Sequence, residues 1–263
     1  MLVGHGTRSP AGIQQFLDIS AFLSAEAREA IVEPAFLELA QPDIGAAVSR
    51  LASRGARIIV VVPFLLAAAD HVKEDIPAAV RTAAAGIGEN WPQLVFAEHL
   101  GAHPNVIELS QLRYRQALEN LSPFRPEATC HLFVGRGSHD ASAIAEVRRF
   151  AELRADPSSA AQTRVAFLAM ARPSLAEELQ RIAIESFARV VVQPHLLFAG
   201  ELAESIGHQV ATLAGRAATT EWLTTSVLAD PAGKPQRGAE LLAVAARERF
   251  AAAIRVVGRE GDG

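Results

Sequence analysis

Short runs of β-branched residues alternate along the chain with Ala-, Leu- and Glu-rich stretches whose apolar positions recur at helical spacing. Arg57-Ile-Ile-Val-Val-Val62 is of the first kind and Ser110 to Leu121 of the second. In the first half the pattern predicts strands near 1–4, 31–36, 57–63 and 94–98, and helices near 11–28, 42–54, 71–85 and 103–121. The second half echoes this with strands near 131–135, 163–168, 189–193 and 221–226. Apolar strands separated by helices imply an α/β protein with mainly parallel sheets covered on both faces.

The echo is an internal duplication. His5 in Val3-Gly-His-Gly-Thr7 and Arg136 in Val134-Gly-Arg-Gly-Ser138 are 131 positions apart. So are Phe36 and Phe167, each opening a similar seven-residue segment that ends in proline, and so are Pro63 and Pro194. A period of this length is too long for a solenoid and indicates two copies of one domain. Prolines in Leu121-Ser-Pro-Phe-Arg-Pro-Glu127 mark the junction. The expected partition is 1–122 and 128–263, each with a four-stranded sheet flanked by helices.

Composition narrows the function classes. Half of the 263 residues are hydrophobic, enough apolar surface to outweigh chain entropy, so disorder is excluded. With 25 basic against 29 acidic residues and no basic run, nucleic acid is not the expected partner. A single cysteine, Cys130, excludes an internal disulfide framework and a four-cysteine metal site, and fits a reducing compartment. The longest uncharged apolar run, Ile58 to Ala69, is too short to span a bilayer. No basic segment with a following apolar stretch opens the chain, so a cytoplasmic, membrane-free protein is expected.

Open parallel sheets bind ligands at the carboxyl ends of their strands. Three polar residues meet that condition in the first half: His5 after the first strand, Glu38 after the second, and His71 in the turn after the third. Gly4 and Gly6 would allow unusual dihedrals and close approach to a ligand. Asp70 is the expected N-cap of the helix bearing His71, whose imidazole the helix dipole would keep neutral. Two imidazoles and a carboxylate suit a divalent first-row metal. The second copy acts as an internal control. Gly4, Gly6, Phe36, Leu37, Pro42, Pro63, Leu65 and Leu66 have identical counterparts, whereas His5, Glu38 and His71 become Arg136, Ala169 and Leu202. One active site in the first copy and a lapsed one in the second is the simplest reading. Of the other histidines, His99 and His103 lie near the same edge, His103 more as a helix-start residue, and His131 and His195 are expected to pack.

Val3-Gly-His-Gly-Thr-Arg8, Phe36-Leu-Glu-Leu-Ala-Gln-Pro42 and Pro63-Phe-Leu-Leu66 followed by His71-Val-Lys-Glu-Asp-Ile-Pro77 resemble the sirohydrochlorin chelatases, ATP-independent class II enzymes. The resemblance spans nearly the whole chain, as a long two-domain form. It implies chelatase-like βα domains and insertion of Fe²⁺ or Co²⁺ into sirohydrochlorin, toward sirohaem or cobalamin. It also implies metal contacts matching His5 and His71, and an acidic residue matching Glu38 for metal or proton handling. The substrate would be a polycarboxylate held by basic side chains, with Arg8 and Arg136 the leading candidates beside Lys73 and Arg172. No Gly-rich Lys-Ser/Thr phosphate loop and no Cys-rich iron–sulfur motif occur, so neither a nucleotide nor such a cluster is expected. The duplication would let a monomer act as a pseudo-dimer. A metal or tetrapyrrole carrier on the same fold, and more remotely a hydrolase or phosphatase, are the competing readings.

Overall fold

A computed structural model describes the chain except residues 28–29, 69–70, 88–90, 120, 122–124, 157, 216–218, 232–234 and 261–263, and the side chains of 71–72, 235–236 and 258–260. The first half runs β1 (Leu2–Gly4), α1 (Pro10–Glu26), β2 (Pro34–Phe36), α2 (Ile44–Ser53), β3 (Ile58–Pro63), α3 (Ile76–Ala85), β4 (Gln93–Phe96) and α4 (Pro104–Leu118). A π-helical turn, His71–Asp75, leads into α3. The second half repeats the order: β5 (Thr129–Gly135), α5 (Ala141–Arg154), β6 (Gln162–Phe167), α6 (Leu175–Ala183), β7 (Arg189–Pro194), α7 (Glu201–Ala214), β8 (Glu221–Thr224) and α8 (Pro235–Glu260).

The strands form two four-stranded sheets, ordered β2-β1-β3-β4 and β6-β5-β7-β8. Every strand pair is parallel. In such an order the chain reverses its winding direction between β1 and β3, and between β5 and β7. A crevice opens at the carboxyl ends of those two strands.

The two copies pack alike. Val3, Ala35, Val61, Ile44, Val48 and Leu51 are buried in the first core. Their counterparts Val134, Ala166, Val192, Leu175, Leu179 and Ile182 are buried in the second. Each fully buried side chain of this kind contributes roughly 1.5–3 kcal/mol relative to exposure. Helix entry is also shared: the Asp43 carboxylate caps α2 by accepting from the Ala46 N–H, and its counterpart Ser174 caps α6 in a reciprocal box with Glu177. Each satisfies backbone donors that the first turn leaves unpaired.

The compact units do not coincide with the sequence halves 1–122 and 128–263. One comprises Met1–Val106 with Gln236–Gly263, the other Ile107–Pro235. Nearly all of α4 therefore belongs to the unit built on the second sheet, and α8 to the unit built on the first. Hydrogen bonds show how each helix is held. Arg113 of α4, almost wholly buried, donates to the carbonyls of Leu228 and Asp230 beyond β8. Tyr114 donates to Ser159 O at 2.8 Å, and Ser110 O accepts from Gln193 at 2.8 Å. On the other unit, Arg249 of α8 pairs with Glu98 and donates to Leu100 O beyond β4. Amphipathic spacing reveals that a helix has a buried face, but not which sheet receives it.

Candidate active site

β1 ends at Gly4, and His5 follows it directly at the crevice between β1 and β3. The next turn is tightly built. Gly6 has φ +103°, and a Cβ there would lie 1.8 Å from the Glu38 carbonyl oxygen, so only glycine fits. Gly4 does not share this need: its φ is not positive, and a Cβ there would meet the Phe16 ring at 3.4 Å, an ordinary contact. Ladder-like bonds continue past the strand, with the Leu37 N–H donating to Gly4 O at 2.9 Å and the Glu38 N–H to His5 O at 3.0 Å. These bonds set Glu38 beside His5. The side chains meet with His5 Nε2 3.4 Å from Glu38 Oε1.

His5 is mostly buried, at 17% side-chain exposure, and Glu38 is half exposed at 51%. That gradient matters for proton traffic. His5 Nδ1 lies 3.4 Å from Gly6 O. With the ring proton on Nδ1, the Nε2 lone pair faces the carboxylate, an arrangement a shared proton or cation relieves. With the proton on Nε2, it is donated to Glu38. In either tautomer the pair can pass a proton from a sheltered nitrogen to a solvent-facing oxygen.

The backbone of His71 lies in the π-turn before α3, in the connection following β3. Its side chain, and the whole of Asp70, fall outside the described residues. Among the described residues no three His, Cys, Asp or Glu side chains converge on one point. Arg8, in the connection from β1 to α1, is exposed, as is Arg136 after β5. Lys73 is exposed in the π-turn. Arg172 is engaged by Glu177.

Three further histidines, His103, His131 and His195, are buried. His103 stands just before α4 and accepts from the Asn105 N–H at 3.3 Å while Nε2 reaches Glu248 at 3.1 Å. Burial lowers its pKa, and the charge of Arg249 adds to this. His131 is fully buried, bonded to Gln193 at 3.0 Å and facing Arg154 at 2.8 Å. His195 occupies the slot of Phe64 and packs against Phe133 and Phe150, with ring centroids 4.8 and 4.3 Å away. Burial pushes its pKa down to about 3. Cys130 is buried, and desolvation raises its thiol to about 12, which keeps it protonated.

One residue at the site edge went unmarked in the sequence. Leu39, directly after Glu38, has φ +64° and is half exposed. Its counterpart Met170 has φ +60° and the same exposure. The signal was available as two bulky apolar residues at one duplicated loop position.

Comparison with known proteins agrees with this architecture. The CbiX family model matches twice, over residues 1–117 and 130–246. A sirohydrochlorin cobaltochelatase of Priestia megaterium is 28% identical over 212 residues, which cover 80% of this chain and 67% of that protein. A sirohydrochlorin ferrochelatase of the same organism is 29% identical over 215 residues, covering 81% and 78%. Among solved structures, SirB from Bacillus subtilis with Fe³⁺ superposes with a TM-score of 0.81 at 23% identity, over 98% of this chain and 96% of that one. At this identity the last likeness is one of fold. The two family matches together span most of the sequence and both of its copies: the chain belongs to the CbiX family.

Proposed function

We infer that this protein is a sirohydrochlorin chelatase, inserting a divalent metal, Fe²⁺ or Co²⁺, into the macrocycle without nucleotide hydrolysis. The observation that carries the reading is the His5–Glu38 pair at the sheet crevice, present in one copy and replaced by Arg136 and Ala169 in the other. Relatives named for this activity with either metal support it. The metal is a substrate here, delivered to the ring rather than retained.

Insertion exchanges two pyrrole N–H protons for one metal ion, so protons must leave as the ion enters. His5 is the group to take a pyrrole proton or to hold the ion, and His71 is its proposed partner in metal binding. Glu38, being more exposed, passes protons to solvent. Arg8 and Arg136 are proposed to pair with substrate carboxylates. The second copy is proposed to have lost the metal site and kept its scaffold, and a single chain is proposed to suffice.

The test is an anaerobic insertion assay with substoichiometric protein, run in parallel with Fe²⁺ and Co²⁺ and followed by absorbance. Many turnovers with at least one metal are expected. His5→Ala and His71→Ala should each abolish insertion, with circular dichroism unchanged. Reaction that stops at one equivalent would assign a carrier instead, and wild-type turnover by both variants would reject the site.

A further inference from the structure

The loops after β2 and β6 share a costly conformation. The Ala40 N–H donates to Glu38 O at 2.8 Å, and the Ala171 N–H to Ala169 O at 2.7 Å. A bond spanning two residues, with a central φ of +64° or +60°, is a γ-turn of the rare positive-φ kind. Among the described residues Leu39 and Met170 are the only non-glycine residues with positive φ. Such a position favours glycine or asparagine on backbone grounds. Burial does not offset the cost, because each residue is 49% exposed. Neither backbone preference nor core packing explains a bulky apolar residue here.

The duplication sharpens the point. In this loop and in the turn beside it the polar residues changed, from Glu38 and His5 to Ala169 and Arg136. The strained, exposed, apolar character was kept in both copies. At Leu39, directly after Glu38 of the His5–Glu38 pair, strain without a packing return points to a ligand contact. The loop is also held rigidly, since the Glu38 and Ala169 carbonyls close on Gly6 and Gly137 so tightly that neither glycine could carry a Cβ. Leu39 Cβ lies 3.6 Å from the place where a Gly6 Cβ would be, which sets it against the His5-Gly6 turn.

We propose that Leu39 is an apolar contact for the flat face of the tetrapyrrole, seating the ring beside the His5–Glu38 pair. This rests on the chelatase reading. A macrocycle presents an extended apolar face within a rim of carboxylates. A rigid apolar knob next to the proton-handling pair controls how that face approaches, whereas arginines address only the rim. Leu39 is thus a positioning residue for substrate.

The experiment compares the full-length wild type with Leu39→Gly, Leu39→Asn and Leu39→Met. Each is assayed for metal insertion, for binding of metal-free sirohydrochlorin by fluorescence titration, and for thermal midpoint. Glycine and asparagine tolerate the positive φ, so the midpoint should hold or rise. Over the same variants, KM and the sirohydrochlorin Kd should rise about tenfold, the scale of one lost apolar side-chain contact. Leu39→Met should stay near wild type. Unchanged KM and Kd in Leu39→Gly overturn the proposal. A lowered midpoint with unchanged Kd assigns Leu39 a structural role and overturns the proposal likewise. A wild type that neither binds nor metallates sirohydrochlorin rejects the chelatase reading itself; a wild type that does both while the variants match it rejects only this inference.

Discussion

Gly6 shows how closely one residue can tie the fold to the chemistry. Its φ of +103° alone would make a side chain unfavourable, but the decisive fact is the Glu38 carbonyl at 1.8 Å from any Cβ. Gly55 offers the contrast, with φ +80° and nothing within 4 Å of a Cβ. Gly55→Ala should therefore cost about 1 kcal/mol, the price of the dihedral. Gly6→Ala should cost about 3 kcal/mol or more, because the β2 loop must move, and insertion should fail with it. Urea unfolding of the two variants, read beside the insertion assay, checks this; equal costs would mean that the loop yields freely. The need for glycine at position 6 was legible from His5-Gly6 and its echo Arg136-Gly137. The reason for it was not, since Glu38 is remote in sequence and reaches Gly6 only through the β1–β2 pairing.

At the scale of elements, an ion pair has been inverted between the copies. Glu33, largely buried before β2, is held by Arg54 at 3.0 Å and by Arg50 at 2.8 Å, both on or beside α2. The counterpart of Glu33 is Arg164, and that of Arg54 is Glu185; these pair at 2.6 Å. Arg164 also meets Glu178 at 3.2 Å, and Glu178 stands where the first copy has Ala47. Glu33 and Arg54 have exchanged signs with Arg164 and Glu185, Arg50 remains an arginine as Arg181, which pairs with Glu178, and the bridge between strand start and helix end has survived. What the architecture requires is complementarity, not a particular residue. Glu33→Arg alone should destabilise by about 1–3 kcal/mol, since it sets a third arginine at a largely buried position beside two partly exposed ones, whose repulsion solvent screens in part. Adding Arg54→Glu and Ala47→Glu reproduces the second copy's set and should recover at least half of the loss. Chemical denaturation of the single and triple variants measures it, and a triple variant no better than the single would show that the two environments are not equivalent.

At the scale of the whole molecule, buried imidazoles set the response to acid. His195 has its pKa pushed down to about 3 and His131 is also lowered, both chiefly by burial, with Arg154 nearby adding to the effect. In the unfolded chain each titrates near 6.5. Below that pH the unfolded state binds protons that the folded state refuses, so stability falls as pH drops from about 6.5 toward 3. The slope from His195 is about 1.4 kcal/mol per pH unit, His131 acts in the same direction, and above pH 7 neither contributes. His195→Phe restores the residue found at the equivalent position 64 and should flatten the slope between pH 6 and 4, while leaving stability at pH 7.5 equal or higher. Thermal midpoints across that range test it; an unchanged slope would mean that His195 titrates normally in the folded protein.

The amino-acid sequence by itself determined the alternation of strands and helices, the duplication with its constant spacing, and the placing of His5 and Glu38 at strand ends. These are properties of local pattern and of chain order, which a linear sequence carries directly. The side-chain meeting of His5 with Glu38, the clash that reserves position 6 for glycine, and the strained apolar positions 39 and 170 came only with three-dimensional packing. So did the membership of α4 and α8 in the units built on the opposite copies' sheets. An amphipathic helix carries the same stripe whichever sheet it covers, and its location was decided by partners such as the carbonyls that receive Arg113 and Arg249. Those carbonyls are chemically anonymous in a sequence. They become specific only when folding turns them toward a particular guanidinium.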